Sequence, residues 1–179
     1  MGCAGDSHHA VSRAFIGLGS NLDDPASQVL VAFDELARLP SSRLLTHSSL
    51  YRSAPVGRLD QPDFINAVAQ IETGLSPHEL LKALLEIEHH HGRVRECANG
   101  PRTLDLDLLI YDDLQCSGPC LTLPHPRMHQ RAFVLQPLLE IAPDTRVPGH
   151  GAVADLLARC AGQRLEREWQ TEWQREWHQ

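Results

Sequence analysis

Residues 104–108 alternate leucine with aspartate and lead into an apolar run that ends at Tyr111, and this segment constrains the fold more than any other part of the chain. Successive side chains of a β-strand point to opposite faces, so the pattern predicts a strand with buried leucines on one face and Asp105 and Asp107 together on the other. At about 7 Å apart, in an effective dielectric near 20, the two carboxylates repel each other by roughly 2.4 kcal/mol, which a bound cation would offset.

Oxygen ligands of this kind suggest magnesium, which commonly takes one or two carboxylates and completes its shell with water and substrate phosphates. The same alternation is also typical of an amphipathic strand with one solvated face. The segment alone leaves both interpretations open.

Composition restricts the class of protein. A chain of 179 residues, 42% apolar and 22% charged, is long enough for one domain with a hydrophobic core. The net charge of −7 argues against nucleic-acid binding over a broad surface. No apolar run suits a membrane span or a signal peptide, and the five scattered cysteines suit reduced thiols. We therefore expect a cytoplasmic protein that binds no membrane.

Apolar periodicity predicts alternating strands and helices. Strand candidates are residues 14–19, 43–51, 64–72 and the aspartate-bearing segment. Asp24 followed by Pro25 predicts the start of one helix, and a capping box of Ser76 and Glu79 around Pro77 predicts the start of a second, with Gly92 as its stop.

The resulting order is β-α-β-β-α-β, which predicts an α+β, ferredoxin-like core. In this arrangement an antiparallel sheet carries its helices on one face and leaves the other open for a ligand. Extra C-terminal helices are expected, one of them over residues 132–141. The expected organisation is a flexible leader over residues 1–12, a domain over 13–163 and a polar helical tail over 164–179.

The tail repeats Glu-Trp and places Trp169, Trp173 and Trp177 on one side of the predicted helix. In a monomeric protein, such a helix either folds back on its own domain or frays. The alternative is that it presents a surface for self-association. The sequence leaves both open.

Positive charge collects around the aspartate strand although the protein is acidic. The residues concerned are Arg93, Arg95, Arg102, His125, Arg127 and Arg131. Guanidinium forks suit phosphate oxygens, although surface ion pairs with glutamates would use the same side chains. Together with the carboxylate pair, the cluster favours a nucleotide, held by side chains and metal because no Walker A motif is present.

Other metal interpretations are weaker. His89, His90 and His91 point in different directions on a helix and are expected to form its solvated end. Cys116, Cys120 and His125 lack a fourth zinc ligand.

Several separated motifs carry a family resemblance. They are Gly19-Ser20-Asn21-Leu22, Gln61-Pro62-Asp63-Phe64-Ile65-Asn66, Gly92-Arg93-Val94-Arg95, Gly100-Pro101-Arg102-Thr103-Leu104-Asp105-Leu106-Asp107 and Pro124-His125-Pro126-Arg127-Met128, followed by Arg131-Ala132-Phe133. In this order, over residues 14–143, the chain resembles the 6-hydroxymethyl-7,8-dihydropterin pyrophosphokinases. The resemblance implies transfer of diphosphate from ATP to a pterin alcohol, with release of AMP, in folate biosynthesis.

The resemblance also implies roles for individual residues. Asp105 and Asp107 would bind two magnesium ions and, with Arg93 and Arg102, would form the catalytic set. The implied nucleotide site comprises Glu88, Arg93, Arg95, Arg102, Leu108, Thr122, His125 and Arg131. The implied pterin site comprises Ser53, Ala54, Val56, Phe64, Asn66 and Phe133, with the pterin ring stacked between the two phenylalanines.

Some features depart from the family or leave choices open. Ala98, Asn99 and Cys120 stand where many relatives have other residues, which affects the expected nucleotide contacts. The proton acceptor is either Asp107 or water. The rival functions are a ferredoxin-like sensor without catalysis and a phosphoryl transferase for another alcohol. The paired aspartates argue against the first, and Phe64, Asn66 and Phe133 against the second.

Overall fold

Strand β1 (Ser12–Ser20) runs through the middle of a six-stranded antiparallel sheet in the computed structural model, which describes residues 10–92 and 103–168. The other strands of this sheet are β2 (Ser42–His47), β3 (Tyr51–Ser53), β4 (Phe64–Thr73), β5 (Asp105–Tyr111) and β10 (Leu165–Arg167). Two small hairpins lie outside it, β6 (Cys116–Ser117) with β7 (Thr122–Leu123) and β8 (Arg146–Val147) with β9 (Gly151–Ala152). The helices are α1 (Pro25–Ala37), α2 (Pro77–His90), α3 (Ala132–Ile141), α4 (Val153–Ala158) and a 3-10 helix (Met128–Gln130).

The strand order is β10-β3-β4-β1-β5, and β2 pairs with β4 beside β3. The predicted ferredoxin-like core is confirmed, with one strand divided. The prediction of a single strand over 43–51 is wrong, because β2 and β3 are separated at Ser48. The backbone N–H of Ser48 donates to Val68 O, and its hydroxyl accepts from Val68 N. One serine therefore satisfies both backbone groups of Val68 and lets the chain leave the regular ladder.

The two faces of the sheet pack against different helices. On one face, α1 and α2 cover a core that includes Ile16, Leu106 and Leu108. On the other, α3 and α4 cover Phe15 and Val68. The expectation that this second face stays open is therefore correct only for part of it, because the C-terminal helices bury the remainder.

Helix α2 starts as the sequence predicts. The Ser76 hydroxyl accepts from the backbone N–H of Glu79 at 3.2 Å, and the Glu79 carboxylate accepts from the N–H of Ser76 at 2.8 Å. Helix α1 begins at Pro25 as predicted, but the expected cap is wrong. Asp24 has a left-handed backbone (φ 60°), and its carboxylate accepts from the Ser27 hydroxyl instead of a backbone N–H.

The end of α2 is only partly solvated. His89 and His90 are exposed, as predicted, but the His91 side chain is 8% exposed. Its Nδ1 lies 2.5 Å from Gln28 Oε1 and its Nε2 lies 2.6 Å from a Glu35 oxygen. The prediction for His91 is wrong because α1 supplies two polar partners at this position.

The C-terminal region differs from the prediction after α3, whose bounds match residues 132–141. Residues 165–167 form β10 and not a helix, because their backbone pairs with β3 and Glu168 N–H donates to Leu50 O. The tryptophans of the predicted tail lie outside the described residues. Ser12, assigned to the leader, already belongs to β1. Within residues 10–92 and 103–168, no helix is long and apolar enough to cross a membrane.

Candidate functional site

Two cavities meet at the acidic face of β5. Asp105, Asp107 and Arg131 line both of them. The predicted orientation of the carboxylates is confirmed, because Leu104, Leu106 and Leu108 lie in the core on the opposite side of the strand. The two aspartates therefore occupy the border between two spaces that can each hold a ligand.

Two glycines of β1 form the floor of the first cavity. Gly19 lies between Asn66 of β4 and Asp105 of β5, and Gly17 is the register partner of Asp107. Side chains alternate along β1, so both glycines lie on the face opposite the core that α1 and α2 cover. No side chain of β1 therefore projects from this face between β4 and β5 at these two positions. A Cβ at Gly17 would lie 3.3 Å from Leu109 Cδ2, which is tighter than normal packing.

The first cavity brings together all six residues of the pterin site implied by the resemblance. These are Ser53, Ala54, Val56, Phe64, Asn66 and Phe133. Asn66 is 5% exposed, and its Nδ2 donates to the Ser53 hydroxyl at 2.7 Å. The guanidinium of Arg131 lies over the Phe133 ring, 5.5 Å from its centroid. The cavity thus combines aromatic faces with one oriented amide, which suits a flat polar heterocycle.

The end of β1 holds two parts of the site in place. Asn21 is 2% exposed, and its Nδ2 donates to Gln61 Oε1 at 2.9 Å and to Pro62 O at 3.0 Å. The Ser20 hydroxyl donates to Thr103 O, just before β5. The motifs around Gly19 and Gln61 are therefore joined by direct hydrogen bonds.

Three elements meet at Glu140, in the last turn of α3. Its carboxylate accepts from the Tyr51 hydroxyl at 2.6 Å and from the Ser49 hydroxyl at 2.7 Å and backbone N–H at 3.1 Å. Arg167 of β10 donates to the same Ser49 hydroxyl at 2.7 Å and lies 3.6 Å from Glu140 Oε1. Burial opposes ionisation of Glu140, but these hydrogen bonds and the charge of Arg167 hold the pKa of its carboxyl below the ordinary value.

The second cavity contains the described residues of the implied nucleotide site. These are Glu88, Leu108, Thr122, His125 and Arg131. Glu88 is 3% exposed, and its Oε1 accepts from Leu106 N at 2.8 Å. This carboxylate thus satisfies a backbone donor on the outer edge of β5. Arg93, Arg95 and Arg102, like Ala98 and Asn99, lie outside the described residues.

His125 is held in its neutral form. Burial and the charges of Arg131 and Arg127 lower its pKa to about 4, against the opposing effect of Asp105. The backbone N–H of Arg127 donates to His125 Nδ1 at 3.2 Å, so the ring proton of the neutral form is on Nε2. His125 therefore offers one N–H donor at neutral pH without adding positive charge.

Some lining residues were not identified from the sequence. Gly17 and Gly19 could have been found from their spacing of two within a strand, which places them on one face. Leu81, Leu85 and Gly118 line the second cavity and carried no signal apart from ordinary helix and turn patterns. No group of three or more histidine, cysteine or carboxylate ligands occurs within residues 10–92 and 103–168, and Cys116 and Cys120 are free thiols. The two aspartates remain a donor set that magnesium accepts.

Comparisons with known proteins agree with the family resemblance that the sequence motifs carry. The model of the 7,8-dihydro-6-hydroxymethylpterin-pyrophosphokinase (HPPK) family matches residues 15–143. A 2-amino-4-hydroxy-6-hydroxymethyldihydropteridine pyrophosphokinase of Pseudomonas aeruginosa is 46% identical over 157 residues, covering 88% of this chain and 97% of that protein. The protein of the same name from Haemophilus influenzae is 45% identical over 152 residues, covering 85% and 95%.

A solved structure shares the fold. The HPPK-DHPS protein of Plasmodium falciparum superimposes with a TM-score of 0.67 at 13% identity. The superposition covers 86% of this chain but only 46% of that longer protein. The family match, the similar full-length relatives and the shared fold agree, and the chain belongs to the 7,8-dihydro-6-hydroxymethylpterin-pyrophosphokinase family.

Proposed function

We propose that Asp105 and Asp107 form the reaction centre of a diphosphoryl transfer between ligands held in the two cavities. The family makes the chain an ATP-dependent diphosphokinase of folate biosynthesis, which transfers diphosphate to the hydroxymethyl group of 6-hydroxymethyl-7,8-dihydropterin and releases AMP. One observation carries the assignment: the two carboxylates and Arg131 border both cavities. A group that crosses from one ligand to the other would pass these residues.

The pterin is assigned to the first cavity. Phe64 and Phe133 would stack on the ring, and Asn66 would read its polar edge together with the backbone of Ser53, Ala54 and Val56. The bond from Asn66 Nδ2 to Ser53 fixes the amide before any ligand arrives. Such preorganisation lowers the entropy lost when the pterin binds.

ATP is assigned to the second cavity, with Glu88, Leu108, Thr122, His125 and Arg131 as its described contacts. Arg93, Arg95 and Arg102 are proposed to bind phosphate oxygens, because their guanidinium forks match that geometry. The neutral His125 would donate from Nε2 to an oxygen of the triphosphate.

Magnesium is the metal that the donor set fits. We assign two ions to Asp105 and Asp107, and when bound they would neutralise charge on the triphosphate and lower the pKa of a coordinated hydroxyl. The protein contributes mainly by positioning, since it would hold the pterin hydroxyl in line with the β-phosphorus while AMP leaves on the opposite side. Asp107 or a water molecule would accept the hydroxyl proton.

The direct test is to incubate the protein with ATP, magnesium and 6-hydroxymethyl-7,8-dihydropterin and to separate the nucleotides by chromatography. We expect AMP and a pterin diphosphate in equal amounts. ADP as the nucleotide product would exclude diphosphoryl transfer. No turnover, with both ligands still bound, would favour the sensor over the enzyme.

We also propose that the protein is a monomer in the cytoplasm. Cys116, Cys120 and Cys160 are free thiols, which suits a reducing compartment. Light scattering on the full chain tests the monomer, and a mass of twice 19.9 kDa or more would contradict it.

A further inference from the structure

One side chain from the C-terminal region holds the backbone on both sides of Arg131. The Oε1 atom of Gln163 accepts from the backbone N–H of Ala132 at 2.9 Å, and its Nε2 atom donates to the backbone oxygen of Gln130 at 2.7 Å. These partners directly precede and follow Arg131, and they lie 33 and 31 residues from Gln163 in the sequence. A single side-chain amide therefore bridges the chain across Arg131.

The bridge also completes the start of α3. Arg131 precedes this helix, and its extended backbone (φ −120°, ψ 108°) turns the chain out of the 3-10 helix. A guanidinium group has no acceptor, and Arg131 makes no side-chain cap. The N–H of Ala132 is one of the donors that a helix leaves unpaired in its first turn. The acceptor for this donor comes from Gln163 instead.

The backbone of Gln163 is anchored on both sides. Its N–H donates to the backbone oxygen of the buried Cys160 at 2.9 Å, and Leu165 pairs with Ser53 in β10. The residue itself is exposed, so core packing does not determine the position of its side chain. Substitutions at Gln163 should therefore remove the bridge and leave the core intact.

The side chain that the bridge places is that of Arg131. It borders both cavities together with Asp105 and Asp107, and its guanidinium lies 5.5 Å from the centroid of the Phe133 ring. Because the guanidinium is at the end of a long side chain, a small backbone rotation at Arg131 displaces it by a larger distance. The position of this charge between the cavities thus depends on the backbone of residues 130–132.

We propose that Gln163 is a positioning residue for Arg131 in diphosphoryl transfer. The inference rests on the proposed function, which gives Arg131 a contact with ATP. Gln163 is not among the described residues that line the first or the second cavity, so its effect on the reaction passes through the backbone that it holds. A misplacement of about 1 Å caused by a change outside the reacting groups can lower a rate by about 10²-fold.

Gln163→Met tests the inference, because methionine keeps an unbranched side chain of similar length and makes neither hydrogen bond. We expect kcat/KM for ATP to fall by about tenfold. The measurement is AMP release by the full-length protein, at a temperature where urea titration shows that the variant is folded.

Thr73→Val is the matched control. Thr73 Oγ1 accepts from the N–H of Leu75 at 3.0 Å and shares a hydrogen bond with the Ser42 hydroxyl at 2.7 Å, at the end of β4 opposite Phe64. This variant also loses two hydrogen bonds, so its stability should fall to a similar extent. Its kcat/KM for ATP should change by less than about twofold.

A double variant shows whether Gln163 acts through Arg131. Arg131→Ala should lower kcat/KM for ATP, and the addition of Gln163→Met should then change it by less than about twofold. A residue that only stabilises the fold would not produce this dependence on Arg131. Additive losses, an unchanged kcat/KM in Gln163→Met, or equal losses in Gln163→Met and Thr73→Val would each overturn the inference.

Nucleotide binding separates the inference from the proposed reaction. In α,β-methylene-ATP a carbon replaces the bridging oxygen at the bond that diphosphoryl transfer breaks, so this nucleotide binds without reacting. Isothermal titration with it and magnesium measures the same set of variants as dissociation constants. We expect Gln163→Met to weaken binding severalfold, and to have no further effect beside Arg131→Ala. This result in a protein that releases no AMP would refute the reaction alone, whereas AMP release that is insensitive to Gln163→Met would refute the role of Gln163 alone.

Discussion

Asp105 and Asp107 are the residues whose charge the proposed reaction needs most. Replacing either by asparagine keeps its size and removes the charge, so we expect turnover to fall by roughly 10²-fold or more, as for the loss of one electrostatic stabiliser. AMP release at saturating substrate measures the effect. Asp113→Asn, which changes an exposed acid just after the same strand, is the control. Near-normal turnover in both site variants would refute the metal assignment.

His125 should make stability depend on pH in a defined window. Its pKa is about 4 in the folded protein and near 6.5 in the unfolded chain, so the unfolded chain binds the proton more readily. Its contribution is therefore fully present above pH 6.5 and is lost as the pH falls from 6.5 towards 4.

Urea unfolding at several pH values checks this expectation. His125→Asn places an amide oxygen where Nδ1 accepts from Arg127, and the free energy of unfolding should then vary less steeply between pH 6.5 and 4. His78→Asn, on the exposed side of α2, controls for removal of a histidine. An unchanged slope in His125→Asn would contradict the lowered pKa.

At the scale of elements, β1 leaves room in the first cavity, where we propose that the pterin binds, because it has no side chain at Gly19. A Cβ there would lie 3.5 Å from Asn66 Oδ1, an ordinary contact, so Gly19→Ala should fold normally. The added methyl group would project into the first cavity, and we expect KM for the pterin to rise several-fold while KM for ATP changes little. Gly74→Ala, outside the site, is the matched control. An unchanged pterin KM would place the pterin elsewhere.

The junction of α3, β3 and β10 at Glu140 should contribute to both stability and pterin binding. Glu140→Gln removes the charge that three donors share, and we expect a loss of about 1–3 kcal/mol of unfolding free energy at neutral pH. Since the pKa of Glu140 is lowered, the difference from the unmodified protein should shrink as the pH falls below 4.5.

Urea unfolding measures the effect on stability, and KM for the pterin measures the effect on pterin binding. We expect an effect on pterin binding because α3 carries Phe133 and β3 carries Ser53. Glu72→Gln, at the exposed pair with Arg43, should cost less than about 1 kcal/mol. Similar losses of unfolding free energy in the two variants would show that Glu140 contributes no more to stability than an exposed ion pair does.

Local signals predicted some elements well. The capping box of Ser76 and the periodicity of α3 lie within one segment, so α2 and α3 begin where the sequence indicates. The paired aspartates and their orientation followed from strand alternation alone. The break at Ser48 and the β10 strand depend on distant partners, Val68 and β3, which no local pattern contains. The site residues were brought together through the family resemblance, since Phe64 and Phe133 look like core residues in sequence.

At the scale of the whole molecule, β10 connects the C-terminal region to the sheet. A chain truncated after Arg164 loses β10, whereas one truncated after Glu168 keeps it. We expect the shorter chain to be less stable by roughly 1–3 kcal/mol, since the β3 pairing and the Arg167 contacts disappear. Urea midpoints of the two chains provide the comparison. Equal midpoints would mean that β10 contributes nothing to stability.

The position of β10 also bears on solubility. It occupies the edge of β3, and its own outer edge is only three residues long and carries Glu166 and Arg167. Short, charged edges discourage a strand of another molecule from adding to a sheet. A shortened version that ended before Leu165 would present the β3 backbone to its neighbours, and such preparations should form β-rich aggregates at concentrations where the longer chain stays dispersed.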